Sequence, residues 1–507
     1  MDKETTLSIP TFYSGRSIFI TGASGYLGKA LIEKLLRSCP DTREIFLLMR
    51  PKTNMCIEER LQQILANSLF DRLRNERPHC FKKLIPLKGD IKIEGLGLSS
   101  VDRNTLIERV SIIFHVAANV RFDNTLKKAI FINLRATRDI CVLSKSLKNL
   151  MVLVYVSSTY SQVDKFVVDE IVYPMEIDWR KTIQIAETMD DYVLEVFKSK
   201  YLGAMPNTYT FTKKLAEQVI TDYSESLPCV ICRPSIISPA INEPAKGWLE
   251  NFNGPVRLMV GCGKGIVRVF YNNPFASDNY IPIDTVVKAM IVATWKRGVM
   301  NKNNDMENIH PLVYNCSTDH NTNLSRLTML QMSKRILLSE IPFENIIWTP
   351  ETVMIQNHFF YRILVLLLHV IPAIFIDGLL RIVGKSSRLL KQYRKIFTVN
   401  NHVAHFLFND WDFRNQKLLS LSNEIPLGNQ QDFGFMADVN YNGDKLLYYK
   451  NCLIGGKIFL LNESMDQTKL DATRFHHKRM LWIDRIVKIL IGIVFVWIIW
   501  TRYMNMY

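Results

Sequence analysis

No apolar core follows the amino terminus. MDKETTLSIPTFYSG carries no run that could act as a signal sequence, so the chain is not expected to be secreted. Its nine cysteines are scattered and form no disulfide framework, which points to a reducing compartment. One pair, Cys229 and Cys232, has C-x-x-C spacing, but it sits in the apolar run PCVICRPSII, which reads as a buried strand. Residues three apart on a strand face opposite ways, so this pair cannot share a metal, and both read as small core residues. No other metal-ligand spacing is present, and no metal is expected. Zinc-finger spacing and basic-region heptads are also lacking, which sets nucleic acid aside as a partner. There is no internal repeat and no low-complexity tract.

What is present is a globular chain of 507 residues, 48% hydrophobic and 22% charged. That length is too great for one ordinary core, so two domains or more are expected. The formal charge of +15, spread along the chain, suits an anionic membrane surface or an anionic small molecule.

From Ser14 to about Trp348, short β-branched runs alternate with amphipathic stretches. Ser17–Thr21, Glu44–Met49, Leu84–Leu87, Ser111–Val116 and Val152–Ser157 read as strands. Tyr26–Ser38, Ile57–Leu73 and Leu126–Ser146 read as helices. This order predicts an α/β fold, a doubly wound parallel sheet with ligands at the carboxyl ends of its strands. After Trp348 the pattern becomes mostly helical, with a strongly apolar stretch at Phe359–Val383 and another at Met480–Tyr507. The expected division is 14–348, 349–465 and a terminal segment 480–507.

The sharpest local signal is Thr21-Gly22-Ala23-Ser24-Gly25-Tyr26-Leu27-Gly28, between an apolar strand and a helix. Gly22 permits a tight turn, Gly25 lets backbone approach a pyrophosphate, and Gly28 lets the helix pack close to the strand. The helix N-terminus offers N–H groups to phosphates. The spacing is G-x-x-G-x-x-G, as in short-chain dehydrogenases. The next strand ends at Arg50, where NAD-preferring sites carry an acid; Arg50 could pair with a 2′-phosphate, which favours NADP(H). The alternative for Arg50 is a surface-loop cap. Asp90, in the Gly-Asp pair after the third strand, is placed to meet the adenine amino group.

Tyr209 and Lys213, four apart in YTFTK, share a helix face. A nearby ammonium and a ribose hydroxyl would lower the Tyr209 pKa and fit it to give a proton to a carbonyl oxygen receiving hydride. Ser157, Ser158 and Thr159 follow an apolar strand. One hydroxyl there would hold the carbonyl oxygen; Ser158 is the choice, with its neighbours as turn residues. No cysteine lies in a loop suited to acyl attack, so direct hydride attack is the simpler route.

These residues resemble the alcohol-forming fatty acyl-CoA reductases, of the insect type. The resemblance covers most of the chain. It rests on TGASGYLG (21–28), FLLMRP (46–51), GD (89–90), FHVAANVRFD (114–123) and YVSSTYS (155–161). It continues through PNTYTFTKKLAEQ (206–218), CRPSIISPA (232–240), FNGPVRLMVGCGKGIVRVF (252–270), YIPIDTVVKA (280–289) and VYNCSTD (313–319). The resemblance implies an extended short-chain dehydrogenase domain of Rossmann type with a smaller, mostly helical C-terminal domain. It implies reduction of a long-chain acyl-CoA to a primary alcohol with two NADPH, with Ser158, Tyr209 and Lys213 as the hydroxyl-tyrosine-lysine site. The family more often reads V-S-T-A-Y-S where this chain has V-S-S-T-Y-S; Ser158 keeps the hydroxyl.

The terminal segment suits a membrane anchor. Ile489–Trp500 is apolar, and counting from Ile486 to Tyr503, with Lys488 and Arg502 snorkelling, reaches the length of a span. An interfacial or core helix is the alternative. Six basic or imidazole side chains, His476 to Lys488, precede the apolar run and only Arg502 follows it. The long N-terminal side is therefore expected in the cytosol, on the endoplasmic reticulum or peroxisome. Phe359–Val383 contains Arg362, His369, Pro372 and Asp377 and reads equally as a buried hairpin, a membrane-dipping segment or a span. Two other functions stay open: a membrane-bound steroid-type dehydrogenase, which Arg50 argues against, and a nucleotide sensor without turnover, which would not need Tyr209 and Lys213.

Overall fold

The computed structural model describes residues 7–52, 54–251, 255–302, 310–386, 388–439 and 444–504. Phe252–Gly254, at the head of one motif, and Asn505–Tyr507, at the end of the expected anchor, lie outside the described residues, as do Met1–Thr6.

The chain forms two compact units. The first holds Met1–Trp248, Asn279–Asn323 and Trp411–Asp444; the second holds Leu249–Asp278, Leu324–Asp410 and Lys445–Tyr507. The expected cut at residue 348 therefore does not coincide with the division. Residues 249–278 and 324–348 leave the expected first domain, and 411–444 join it.

Unit 1 is built on seven parallel strands: β1 (Ser17–Thr21), β2 (Glu44–Met49), β3 (Leu84–Lys88), β4 (Val110–His115), β5 (Val152–Val156), β6 (Cys229–Pro234) and β7 (Leu312–Cys316). Their order is β7-β6-β5-β4-β1-β2-β3. β1, β4, β5 and β6 are buried along their whole length, as the unbroken apolar runs require when helices cover both faces. The order reverses between β1 and β4, so a crevice opens at their carboxyl ends. There Thr21 Oγ1 and His115 Nδ1 lie 2.7 Å apart, and His115 Nε2 is 3.2 Å from Thr137 Oγ1.

The helices of this unit that matter for the site are α1 (Tyr26–Ser38), α2 (Ile57–Leu65), α3 (Ala136–Ser146) and α4 (Thr208–Ser224). The expected helix at Ile57–Leu73 stops at Leu65 because the Asn67 side chain accepts from Leu69 N–H at 2.9 Å and starts a separate short turn. The expected helix at Leu126–Ser146 is helical throughout, but Ile130–Arg135 widens into a π-turn. A two-residue strand, Asp412–Phe413, pairs with Val167–Val168 and so attaches the 411–444 segment to unit 1.

Unit 2 is mostly helical. It contains α5 (Arg326–Ser339), α6 (His358–Ile382), α7 (Leu389–His402) and α8 (Gln467–Met504). α6 is continuous across Pro372 because a π-turn at Leu366–Val370 precedes the proline and absorbs its missing N–H. By length and composition α6 is long and apolar enough to cross a membrane. α8 starts thirteen residues before the expected terminal segment. Its first half is part of the protein: Leu470, His477 and Asp484 are buried. Lys488, expected to snorkel, instead bridges Asp484 at 2.6 Å and Glu351 at 2.8 Å.

Candidate active site

The glycine loop closes on itself at the switch point. Gly22 has a φ of +79°, and a Cβ there would come within 2.7 Å of the Ala117 nitrogen. A Cβ on Gly28 would fall 2.2 Å from the Gly22 oxygen, so strand and helix pack as closely as the spacing implied. Gly25 is exposed, and no side chain among the described residues caps the start of α1. Bare N–H groups and the positive end of the helix therefore face the crevice, which fits a pyrophosphate.

Not every side chain of the loop faces that way. Thr21 is buried, its hydroxyl held by His115 and by Ala117 N–H at 3.3 Å. Leu27 is buried. Tyr26 stacks on Trp248 at 4.9 Å, and its hydroxyl donates to the Trp248 carbonyl at 3.2 Å. These three support the loop, and what they offer a cofactor is backbone.

Arg50 is exposed, 4.0 Å from Asp90. A residue that the sequence reading missed stands beside it. Arg60, on α2, donates to the Arg50 carbonyl and, at 3.1 Å, to Ser24 Oγ in the glycine loop. Arg60 could not be picked out from sequence, since nothing local marks α2 as folding back under the loop. Its cap is local: Cys56 Sγ accepts from Glu59 N–H, and the Glu59 carboxylate accepts from Cys56 N–H. Two guanidinium groups thus flank the end of β2, an electropositive place for a phosphate.

Ser158, Tyr209 and Lys213 come together at the ends of β5 and β6. Ser157 and Ser158 part company. Ser157 Oγ donates to Glu217 at 2.5 Å, so it is engaged inside the core. Ser158 accepts from Tyr160 N–H at 3.2 Å, donates to the Pro234 carbonyl at 3.3 Å, and meets the Tyr209 phenol. Thr159 is buried and its hydroxyl has no partner among the described residues. Tyr209 is half-buried, with its ring 5.8 Å from Phe122. Burial pushes its phenol up to about 12, against a smaller lowering by the Ser158 hydroxyl, so it is fully protonated at neutral pH.

Lys213 does not lower Tyr209 as expected. Its ammonium donates to the Val156 carbonyl at 2.6 Å and lies over the Tyr155 ring. Burial pulls it down to about 7, and the Glu217 carboxylate opposes that pull. Glu217 follows Lys213 by one turn on the same face of α4. It is held by Arg233, Ser161 and Gln162 as well as Ser157. Asn133, in the π-turn, donates to Thr212 Oγ1 at 3.0 Å and pairs with the backbone of Asn119, fixing the loop after β4 beside α4.

Two family profiles, both described as "Male sterility protein", match residues 20–290 and 368–463. "Fatty acyl-CoA reductase 1" of Xenopus laevis is 35% identical over 474 residues, covering 94% of this chain and 90% of that one. The Homo sapiens protein of the same name is 34% identical over the same coverage. The chain belongs to the fatty acyl-CoA reductase family. Among solved structures, the reductase domain of a Mycobacterium tuberculosis nonribosomal peptide synthetase superposes with a TM-score of 0.58 at 14% identity, covering 91% of this chain and 96% of that one. The terminal R domain of the myxalamid biosynthetic pathway gives 0.57 at 18% identity, with 89% and 93% covered. Both share the fold. Residues 20–290, which include the glycine loop, match a nicotinamide-binding profile, so the chain takes a nicotinamide cofactor.

Proposed function

We propose that the protein reduces a long-chain fatty acyl-CoA to the primary alcohol with two equivalents of NADPH, at a membrane surface. The observation that carries this reading is the meeting of Ser158 and Tyr209, with Lys213 behind them, in a chain of this family. A bound reduced nicotinamide supplies hydride. Ser158 and Tyr209 hold the carbonyl oxygen, and Tyr209 gives it a proton as the carbonyl carbon is reduced. The resulting hemithioacetal loses CoA as the thiol and leaves an aldehyde. A second reduction at the same groups gives the alcohol. No cysteine is needed: burial pushes the Cys229 and Cys262 thiols up to about 12 and about 11, which suppresses thiolate. NADPH over NADH is favoured by Arg50 and Arg60 at the end of β2 and by the lack of a carboxylate on the strand's last residues.

The membrane part of the proposal rests on α8. Beyond Lys488 it exposes Ile489, Leu490, Ile493, Val494, Trp497 and Trp500. We assign this stretch as an anchor with the catalytic unit in the cytosol, on the endoplasmic reticulum or peroxisome, where both cofactor and acyl-CoA are soluble and the product can leave into lipid.

The test is product analysis. Membranes bearing the full chain are incubated with NADPH and acyl-CoAs of several lengths, and thiol release, NADPH loss and lipid products are followed together. The expected result is two NADPH consumed per CoA released, with a fatty alcohol formed. Tyr209→Phe is expected to lower turnover by roughly 10²–10⁴-fold while NADPH still binds. Oxidation of a sterol without thiol release would replace this reading with the dehydrogenase one. Extraction of the full chain by carbonate would remove the anchor assignment.

A further inference from the structure

α6 is apolar on the outside. Every fourth residue, Tyr361, Val365, His369, Ala373 and Asp377, is buried. This stripe ties α6 to unit 2 along its whole length. Tyr361 stacks between Tyr271 at 5.3 Å and Phe397 at 5.7 Å. His369 lies flat on Tyr393 at 4.5 Å and accepts from Arg268 N–H at 3.0 Å. Asp377 accepts from Leu389 and Leu390 N–H, both at 3.1 Å, and so caps the start of α7. The rest of the helix surface is open and greasy. Phe360, Leu367, Ile374, Phe375 and Ile382 are among its exposed residues, and only 22% of its most apolar stretch is buried.

A helix that crosses a bilayer must shed polar protein along its middle turns. α6 cannot, because α7 and the strand Val269–Tyr271 follow it side by side. An exposed apolar face of this size still calls for a partner. The surrounding charge says which. Between Glu351 and Asp410 the sole carboxylate is Asp377, which is buried in its cap. Over the same stretch Lys385, Arg388, Lys391, Arg394 and Lys395 are exposed. The position agrees: Arg268, which donates to His369, also reaches to 3.9 Å from Asp484 on α8. α6 therefore lies near the level at which α8 leaves the protein.

We propose that α6 lies in the plane of a membrane, its apolar face among the acyl chains of an anionic leaflet and the cations of α7 on the headgroups, and that it does not cross. This rests on the membrane placement given above, but makes a separate contact. Such a bed would open unit 2 directly onto lipid, the phase in which a long acyl chain and its alcohol are most soluble.

The test uses the full-length protein with Cys56, the exposed one of its nine free cysteines, replaced by serine. Single cysteines at Ile363, Phe375 and Ile382 carry a polarity-sensitive bimane, and a cysteine at Val494 reports on the terminal helix separately. The protein is placed in vesicles of phosphatidylcholine alone or with one-third phosphatidylserine. Lipids spin-labelled near the headgroup should quench all three α6 probes to a similar extent, chain-end labels should quench them less, and aqueous iodide should fail. Phosphatidylserine should deepen the effect, and K391E/R394E/K395E should abolish that gain. A Phe375 probe much deeper than the other two would mean a crossing and overturn the proposal, as would ready quenching of all three by iodide. An aqueous Val494 probe beside three lipid-facing ones would sink the terminal anchor and leave this proposal standing.

Discussion

Arg233 and Glu217 meet side-on in the core of unit 1, Nε to Oε1 at 2.9 Å and Nη2 to Oε2 at 2.7 Å, with neither side chain exposed. The same carboxylate anchors Ser157, one residue before Ser158, and sits one turn beyond Lys213. Glu217→Gln would leave the guanidinium buried and uncompensated. The expected loss of stability is about 3–5 kcal/mol, read from denaturant unfolding. A change under about 1 kcal/mol would show that solvent reaches the pair.

Arg50→Ala is expected to weaken NADPH binding by about 1.5–3 kcal/mol, the worth of a charge-assisted bond, and to leave NADH nearly unchanged. Arg60→Ala should weaken NADPH as well, since it also releases the Arg50 carbonyl and Ser24. Titration by cofactor fluorescence reads both. Equal losses for the two cofactors would sink the assignment of these arginines to the 2′-phosphate.

The two adjacent serines should behave differently. Ser158→Ala removes a donor from the carbonyl oxygen and is expected to slow turnover by roughly 10²–10³-fold. Ser157→Ala removes a bond to Glu217 and should cost about 1 kcal/mol of stability, with turnover largely kept. Steady-state kinetics and thermal melts on both variants decide it, and the reverse pattern would exchange their roles.

Lys213 sets the expected pH dependence. With its ammonium pulled down to about 7, it is charged below that pH and neutral above it. The charged form bonds the Val156 carbonyl more strongly and so holds the strand end that carries Ser158, and kcat/KM should fall as pH rises through about 7. Stability should move the other way. The unfolded lysine binds its proton up to its ordinary value of 10.5, so the unfolded state holds more protons between about 7 and 10.5, and unfolding free energy rises with pH across that window. A rate profile flat to pH 9 would show that the Lys213 charge is immaterial.

Buried His115 adds an acid limb. Burial pulls its imidazole down to about 3, so the unfolded chain takes up a proton first as pH falls below 6.5. Stability should drop between pH 6.5 and 3, and His115→Gln, which does not titrate, should flatten that drop in urea-unfolding measurements. An unchanged pH slope would place the acid sensitivity elsewhere.

What could be read in the sequence was what short-range pattern encodes. β1, α1 and β2 run over the residues that their periodicity marked, because apolar runs, glycine spacing and helix starts are local signals. Tyr209 and Lys213 were legible for the same reason, four apart on one helix. Arg60 was not, because its role depends on α2 returning to the glycine loop. Ser158 was chosen over Ser157 from its place after the strand, but what engages Ser157, a carboxylate sixty residues away, was not visible there. The return of residues 411–444 to unit 1 was hidden because a two-residue strand has no period to detect.

That return has a consequence for how the molecule is made. Glu170 accepts backbone N–H groups from Asn315, Lys417 and Leu418, and Asn315 Nδ2 donates to the Arg414 carbonyl at 2.7 Å. Glu170 stands 145 residues from Asn315 and 247 from Lys417. During translation the nucleotide-binding half must wait, its polar groups open to water, until the ribosome has delivered the first two segments of unit 2, Leu249–Asp278 and Leu324–Asp410, as well. A chain cut at the apparent end of the dinucleotide pattern would lack the piece that closes it. Birth order and spatial order differ here, and the protein completes its first unit only shortly before its last helix emerges.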